Sequence, residues 1–148
     1  MLPTSPNSDQ RAARQFETRR SSRARTKLVE RLKRKGIRNP AVLDALETVP
    51  RHLFLDPEQF DNAYVDTALP IGHAQTISQP FVVALMSEMV LAAAKNNQRV
   101  LEIGTGCGYQ AAILSYLFEK VYSVERILSL SQRAGKNLEL LCINNVTL

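Results

Sequence analysis

The sequence has few of the residues that build disulfide frameworks or metal centres. Its only cysteines, Cys107 and Cys142, lack C-x-x-C spacing, and His52 and His73 are its only histidines. A disulfide framework needs a larger, patterned set of cysteines, and a zinc site needs closely spaced cysteines and histidines. We therefore predict reduced, structural cysteines and no metal site.

Long hydrophobic runs are equally scarce. No apolar run approaches the roughly 18 residues of a membrane-spanning helix, and the N-terminus has no hydrophobic signal region. The composition, 45% hydrophobic and 22% charged in 148 residues, is ordinary for a globular domain. These features predict a cytoplasmic protein with one domain and no membrane partner.

Positive charge is distributed unevenly along the chain. Residues 10–38 hold 12 of the 19 lysines and arginines against two acidic residues, whereas residues 39–148 hold 7 basic and 11 acidic residues. A basic arm on an acidic body suits a nucleic-acid or acidic-membrane contact, but solvated basic segments are commoner. We expect residues 1–23, rich in Ser, Pro, Arg and Gln, to be a disordered tail. We do not expect nucleic acid as a partner.

The most informative stretch is V-L-E-I-G-T-G-C-G-Y-Q, residues 100–110. Val100, Leu101 and Ile103 form a short apolar run that predicts a central parallel strand. The alternating glycines that follow let the backbone take positive φ and let a ligand lie against the main chain. A helix from Tyr109 would direct its free N–H groups toward that ligand. This arrangement predicts a cofactor-binding loop.

The glycine spacing narrows the choice of cofactor. A dinucleotide fingerprint, G-x-G-x-x-G, would need glycine where Tyr109 stands. Instead the pattern is E-x-G-x-G-x-G from Glu102, which resembles the first motif of class I methyltransferases that use S-adenosylmethionine. Glu125 ends a second predicted strand 21 residues after Gly104, where an acidic residue commonly holds ribose hydroxyls. A tight turn without a ligand is the less favoured alternative.

The rest of the chain supplies helices and one long loop. We predict two short amphipathic helices before the core, with Gly36 capping the first and Asn39 and Pro40 beginning the second. An apolar helix should pack on the sheet, a further helix should follow the second strand, and a third strand should begin at the end. The predicted segments are a loop over 51–75 with a short helix at 57–60, helices over 81–94 and 127–141, and a strand from Val146.

Three further segments carry a specific resemblance. They are V-P-R-H-L-F (49–54), A-L-P-I-G-H-A-Q-T-I-S-Q-P (68–80) and V-Y-S-V-E-R (121–126). With the glycine loop, they make residues 24–148 similar to the protein-L-isoaspartate O-methyltransferase family. The glycine motif is generic to the methyltransferase superfamily, whereas segment 68–80 is specific to this family.

The resemblance implies a fold, a reaction and a set of site residues. The fold would be a Rossmann-like, doubly wound α/β methyltransferase fold with an N-terminal helical segment. S-adenosyl-L-methionine would be the cofactor, isoaspartyl carboxylates of damaged proteins and peptides the substrate, and the complete protein a monomer. Ser78 would be the catalytic serine. The implied cofactor-binding residues are Thr76, Ile77, Ser78, Glu102, Gly104, Thr105, Gly106, Gly108 and Glu125.

Each principal site residue also has a structural alternative. Ser78 or Gln79 would be the N-cap of the apolar helix, and serine is a preferred residue type there. Glu102 could be a strand-end carboxylate that binds loop N–H groups, and Glu125 a solvated turn residue paired with Arg126. An isoaspartyl carboxylate should ionise near the pH of about 4 typical of aspartate, so methyl transfer to it needs no general base.

The chain departs from the family at its end, because only two strands are complete before Leu148. We therefore expect an incomplete sheet and a catalytically silent N-terminal part, either a fragment or a truncated gene product. Two alternatives remain. One is another S-adenosylmethionine-dependent methyltransferase that uses the basic arm to contact RNA or DNA, and the other is a non-catalytic binding module.

Overall fold

The computed structural model describes residues 18–148, which form five helices and five strands. Two short 3₁₀ helices, Arg51–Phe54 and Pro57–Asn62, lie between the second helix and the first strand. None of the helices in this part of the chain is both long and apolar enough to cross a membrane. In chain order the elements are α1 (Arg19–Arg34), α2 (Pro40–Thr48), β1 (Leu69–Gly72), β2 (Gln75–Ile77), α3 (Pro80–Ala93), β3 (Arg99–Ile103), α4 (Tyr109–Ser115), β4 (Lys120–Val124), α5 (Leu128–Leu140) and β5 (Val146–Thr147).

Helix α1 begins earlier than the sequence predicts. A reciprocal pair of hydrogen bonds fixes its start: Thr18 Oγ1 accepts the N–H of Ser21, and Ser21 Oγ accepts the N–H of Thr18. This capping box satisfies backbone groups that would otherwise be free at the helix end. The expected disordered tail is therefore wrong for residues 19–23, which are helical. Residues 1–17 lie outside the described part of the chain, so the tail there stays a prediction.

Local sequence correctly predicts the junction between α1 and α2. Gly36 has φ 112°, the left-handed conformation that commonly follows a helix C-terminus. Asn39 Oδ1 then accepts the N–H of Ala41 at 2.9 Å and that of Val42 at 3.3 Å, and Pro40 occupies the first helical position. The Asn39 cap is confirmed.

The segment predicted as a long loop contains an antiparallel hairpin of β1 and β2. Leu69 pairs with Ile77, and the two-residue turn consists of His73 and Ala74, each with φ 53°. Such a turn is usually marked by Asn or Gly, which tolerate positive φ. Because neither turn residue carries that signal, the loop prediction over 51–75 was wrong for this part.

Strands β3, β4 and β5 form a parallel sheet in that order, with helices α4 and α5 as crossovers. Crossovers of one hand between successive neighbours place both helices on the same face of the sheet. Val100 and Val121 are buried on that face. A doubly wound sheet is covered on both faces, so this is one layer of the predicted architecture.

The opposite face of the sheet remains open in the described residues. Its side chains are apolar but exposed: Leu101 is 62%, Ile103 75%, Tyr122 40% and Val124 54% exposed. Helix α3 does not cover them, because its main contacts are with α1, α2 and α4. The main contacts of this helix therefore lie away from the sheet, on which it was predicted to pack.

A fully buried arginine connects the N-terminal part to helix α4. The guanidinium carbon of Arg51 lies 4.9 Å from the ring centroid of Tyr109, and one of its N–H groups donates to the carbonyl of Thr67 at 3.3 Å. The ring of Tyr109 also contacts Phe54 edge-on at 5.4 Å between centroids. These contacts fix the start of α4 against the 3₁₀ segment.

Asp66 caps helix α3 from a distance in sequence. Gln79 is the N-cap residue but makes no capping bond with its side chain. Instead, Asp66 Oδ1 accepts the N–H of Phe81 at 2.9 Å, and Oδ2 pairs with Lys35 Nζ at 2.5 Å. Burial raises the pKa of Asp66, but the hydrogen bonds from Lys35 and Phe81 outweigh it and leave the pKa below its usual value. Asp66 thus joins the end of α1 to the start of α3.

We expect Asp66→Ala to lower the free energy of unfolding by about 2 kcal/mol at pH 7, because it removes a helix cap and a charge-assisted hydrogen bond. Chemical denaturation measures the change. Asp61→Ala is the matched control, since Asp61 pairs with Arg20 at 3.1 Å on the exposed surface, where such pairs contribute little. The lowered pKa means that the effect is present above about pH 4 and lost as pH falls below it. Equal effects of the two substitutions would contradict this role.

Candidate cofactor-binding site

The loop between β3 and α4 folds back over the end of β4. Gly104, Gly106 and Gly108 all have left-handed backbones, with φ 92°, 56° and 91°. The N–H groups of Gly104 and Thr105 both donate to the carbonyl of Val124, at 2.8 and 3.3 Å. The predicted glycine turn therefore exists, and the neighbouring strand anchors it.

The three glycines differ in what surrounds them. A Cβ on Gly106 would lie 3.3 Å from Cδ1 of Ile71, and one on Gly108 would lie 3.1 Å from Cβ of Ala134. These two positions are tight because the hairpin and helix α5 approach the loop. A Cβ on Gly104 would meet no protein atom within 4 Å. Gly104 therefore leaves open space beside the main chain, where a ligand can approach.

Glu125, at the end of β4, joins this loop to the start of α5. Its Oε2 accepts the N–H of Gly106 and its Oε1 accepts the N–H of Ile127, each at 2.9 Å. The bond from Ile127, followed by that from Gly106, lowers the pKa of Glu125, so the side chain is an anion at neutral pH. A carboxylate oxygen accepts more than one hydrogen bond. Glu125 is therefore more than a solvated turn residue and still has acceptor capacity.

Glu102 lies beneath the loop in a chain of buried polar side chains. The hydroxyl of Ser123 donates to Glu102 Oε2 at 2.5 Å, and Thr105 Oγ1 lies 2.6 Å from Ser123 Oγ. When Glu102 is ionised, the single proton of Ser123 goes to Glu102, and Thr105 then donates to Ser123. Glu102 therefore binds a side chain, and not the loop N–H groups of the structural alternative.

Burial strongly affects the ionisation of Glu102. It raises the pKa of the carboxyl to about 7, against the hydrogen bond from Ser123 and with a smaller contribution from the charge of Glu125. Two carboxyl groups near one loop thus differ in ionisation, because one is buried and the other binds N–H groups. The sequence analysis missed Ser123, although a polar residue at an inward position of an apolar strand is a signal for such a partner.

The hairpin contacts the loop through Ile71 and leads into the second predicted group of site residues. Ile77 is buried, whereas Thr76 and Ser78 are exposed. The hydroxyl of Ser78 forms no hydrogen bond within residues 18–148, and the N-cap of α3 is Gln79. The helix-cap alternative for Ser78 is therefore wrong. No hydrogen bond among these residues joins Ser78 to the glycine loop.

Helix α5 fixes the position of the hairpin. At the turn, His73 Nε2 lies 2.8 Å from Ser129 Oγ. Arg133 donates to the carbonyls of Ile71 and Phe54, at 3.3 and 3.2 Å, and pairs with Asp56 at 3.2 Å. One arginine on α5 thus holds the hairpin and the 3₁₀ segment on the same side as the loop.

Comparison with known proteins agrees with this geometry. The family model for protein-L-isoaspartate(D-aspartate) O-methyltransferase matches residues 23–148. The chain belongs to this family. A protein-L-isoaspartate O-methyltransferase of Burkholderia vietnamiensis is 55% identical over 128 residues, which cover 86% of this chain and 41% of that protein. Protein-L-isoaspartate O-methyltransferase 1 of Marinobacter nauticus is 54% identical over 128 residues, which cover 58% of that protein.

Solved structures of the family share the fold. One protein-L-isoaspartate O-methyltransferase matches with a TM-score of 0.72 and 35% identity, over 82% of this chain and 40% of that structure. Another, from Plasmodium falciparum in complex with S-adenosyl-L-homocysteine, matches with a TM-score of 0.70 and 27% identity, over 82% and 60%. The predicted methyltransferase fold with an incomplete sheet is confirmed, and the chain spans about two fifths of the Burkholderia relative.

We expect the stability of this chain to change with pH because of Glu102. Its pKa is about 7 in the folded chain and about 4.3 in an unfolded chain. The folded state therefore keeps the proton up to a higher pH. Stability should therefore fall as pH rises from about 4 to 7, by about 3 kcal/mol. Glu102→Gln, which cannot ionise, should be more stable than the parent at about pH 8 and equal to it near pH 4.

Denaturant unfolding at the two pH values measures this difference. Glu139→Gln is the control, because Glu139 is exposed. Its effect should be small and the same at both values. If the free energies of unfolding of Glu102→Gln and the parent differ by the same amount at both pH values, Glu102 is already ionised below neutral pH.

Proposed function

We propose that this chain forms the S-adenosyl-L-methionine-binding part of a protein-L-isoaspartate (D-aspartate) O-methyltransferase that acts on isoaspartyl proteins and peptides. The observation that carries the proposal is the open space at Gly104 beside the anionic Glu125. The bound S-adenosyl-L-homocysteine of the Plasmodium relative supports the choice of cofactor. The activity is proposed for the full-length gene product.

The residues of the loop fit such a cofactor. Gly104 exposes its main chain on the open side, and Glu125 has remaining acceptor capacity for two ribose hydroxyls. Thr105 and Glu102 hold the loop from below through Ser123. Gly106 and Gly108 act by allowing the hairpin and α5 to pack closely against the loop. The cofactor, when bound, supplies an electrophilic methyl group on a positively charged sulfur.

The hairpin supplies the candidate substrate side of the site. An isoaspartyl carboxylate is ionised at neutral pH, so the protein need only align it and exclude water. The hydroxyl of Ser78 is exposed and free of protein partners in the described residues, and it can donate one hydrogen bond to that carboxylate. Thr76 and Ile77 lie beside it on β2 and complete the proposed contact with cofactor and substrate.

Glu125→Gln should weaken binding of S-adenosyl-L-homocysteine by about tenfold, because it replaces charge-assisted hydrogen bonds to the ribose hydroxyls with neutral ones. Isothermal titration calorimetry on the full-length gene product measures the dissociation constant. Glu119→Gln, an exposed position before β4, is the matched control and should bind like the parent. An unchanged constant for Glu125→Gln would remove Glu125 from the ribose site.

The full-length gene product should form methyl esters on an isoaspartyl peptide and not on the same peptide with normal aspartate. Ser78→Ala should lower turnover by about tenfold or more, since one hydrogen bond to a charged group is lost. Its melting temperature should stay unchanged, because Ser78 is not the cap of α3, and its affinity for S-adenosyl-L-homocysteine should fall less than its turnover. Equal labelling of the two peptides would refute the substrate, and unchanged turnover would refute the role of Ser78.

A further inference from the structure

Four of the eight basic residues of helix α1 form one row. Arg19, Arg23, Lys27 and Arg31 follow each other at intervals of four residues and are all exposed. Side chains four positions apart are neighbours on a helix surface, with a rise of about 6 Å between them. These four residues, called the basic row below, therefore extend over about 18 Å of one helix face.

The basic row takes no part in holding the fold together. Within residues 18–148, none of its four side chains forms an ion pair or a hydrogen bond. By contrast, the buried face of the same helix packs into the core through Arg25, Leu28 and Leu32. Cations that stabilise no intramolecular contact are available for an external anion.

Within residues 18–148, few acidic groups lie close to the row. Asp61 pairs with Arg20 at 3.1 Å, and Glu47 accepts a hydrogen bond from Thr26 at 2.6 Å. Glu30 is the only acidic residue within α1 itself. Arg19, Arg20, Arg23 and Lys27 also line one shallow surface depression together with Ala24. Three residues of the row thus share a surface that has an excess of positive charge.

We propose that the basic row binds the phosphate backbone of a nucleic-acid duplex. Such a duplex carries one negative charge per about 1.7 Å of axis, so an extended row of cations can contact several phosphates at once. Composition alone argued against nucleic acid as a partner. The helix changes that expectation, because it places the cations on one exposed face instead of distributing them through a solvated tail.

Two other anionic partners fit the surface less well. Membrane-surface helices insert an apolar face, but the apolar side chains of α1, Leu28 and Leu32, are buried. The centre of a protein interface is usually apolar or aromatic, and no large hydrophobic side chain of α1 is exposed. An exposed line of cations without large apolar side chains matches a linear polyanion.

Fluorescence anisotropy with a labelled DNA duplex of about 20 base pairs tests the proposal between about 50 and 200 mM salt. Four phosphate contacts predict a slope of about −3.6 in a plot of log affinity against log salt, and an affinity loss of roughly 150-fold across that range. The test variant carries Arg19→Gln, Arg23→Gln, Lys27→Gln and Arg31→Gln, and should lose the slope and the binding. The control variant carries Lys95→Gln, Arg99→Gln, Lys120→Gln and Lys136→Gln.

The control removes the same number of charges from exposed positions outside α1 and should keep most of the affinity and the slope. Equal losses in both variants would overturn the proposal, because net charge alone would then explain binding. Equal or tighter binding to anionic phospholipid vesicles, or to polyglutamate of matched charge, would also overturn it. Circular dichroism confirms that both variants keep their helix content.

Discussion

The site depends on the attachment of the glycine loop to the end of β4. Three loop N–H groups donate to two consecutive residues there: Gly104 and Thr105 to the carbonyl of Val124, and Gly106 to the carboxylate of Glu125. This attachment requires the left-handed backbone that glycine tolerates. The hairpin and α5 can approach the loop closely because they occupy the space that a side chain at Gly106 or Gly108 would need.

Beneath the loop, the protein holds polar groups away from water. Glu102, Ser123 and Thr105 satisfy one another in a directed chain of hydrogen bonds. A buried carboxyl that is partly neutral loses less free energy on desolvation than a fixed charge would. The fold thus keeps an anion, Glu125, at the open edge of the site. In the interior it places Glu102, a carboxyl that gains a proton readily.

The sequence predicts those features that are encoded locally. The cap at Asn39, the helix end at Gly36 and the glycine turn depend on residues within a few positions of one another, and all three were predicted. The hairpin was missed because His73 and Ala74 adopt positive φ without the residue types that usually signal it. The contacts around the hairpin impose this turn on two residues that do not favour it.

Partners far apart in the chain were harder to predict. Ser123 meets Glu102 only because β3 and β4 pair in a register that places these residues opposite each other. Asp66 reaches the N–H of Phe81 only after the hairpin has returned the chain to α3. The sequence also could not show that Gly104 faces open space while Gly106 faces Ile71. These facts depend on three-dimensional packing between residues that are far apart in the chain.

The open face of the sheet affects how this chain should respond to heat and denaturant. Leu101, Ile103, Tyr122 and Val124 already contact solvent in the folded chain, so unfolding exposes less new apolar surface than usual for this length. The heat-capacity change and the denaturant m-value both scale with newly exposed surface. The stability curve of this chain is therefore flatter with temperature, and its unfolding transition broader, than those of a domain of equal length whose sheet is covered on both faces.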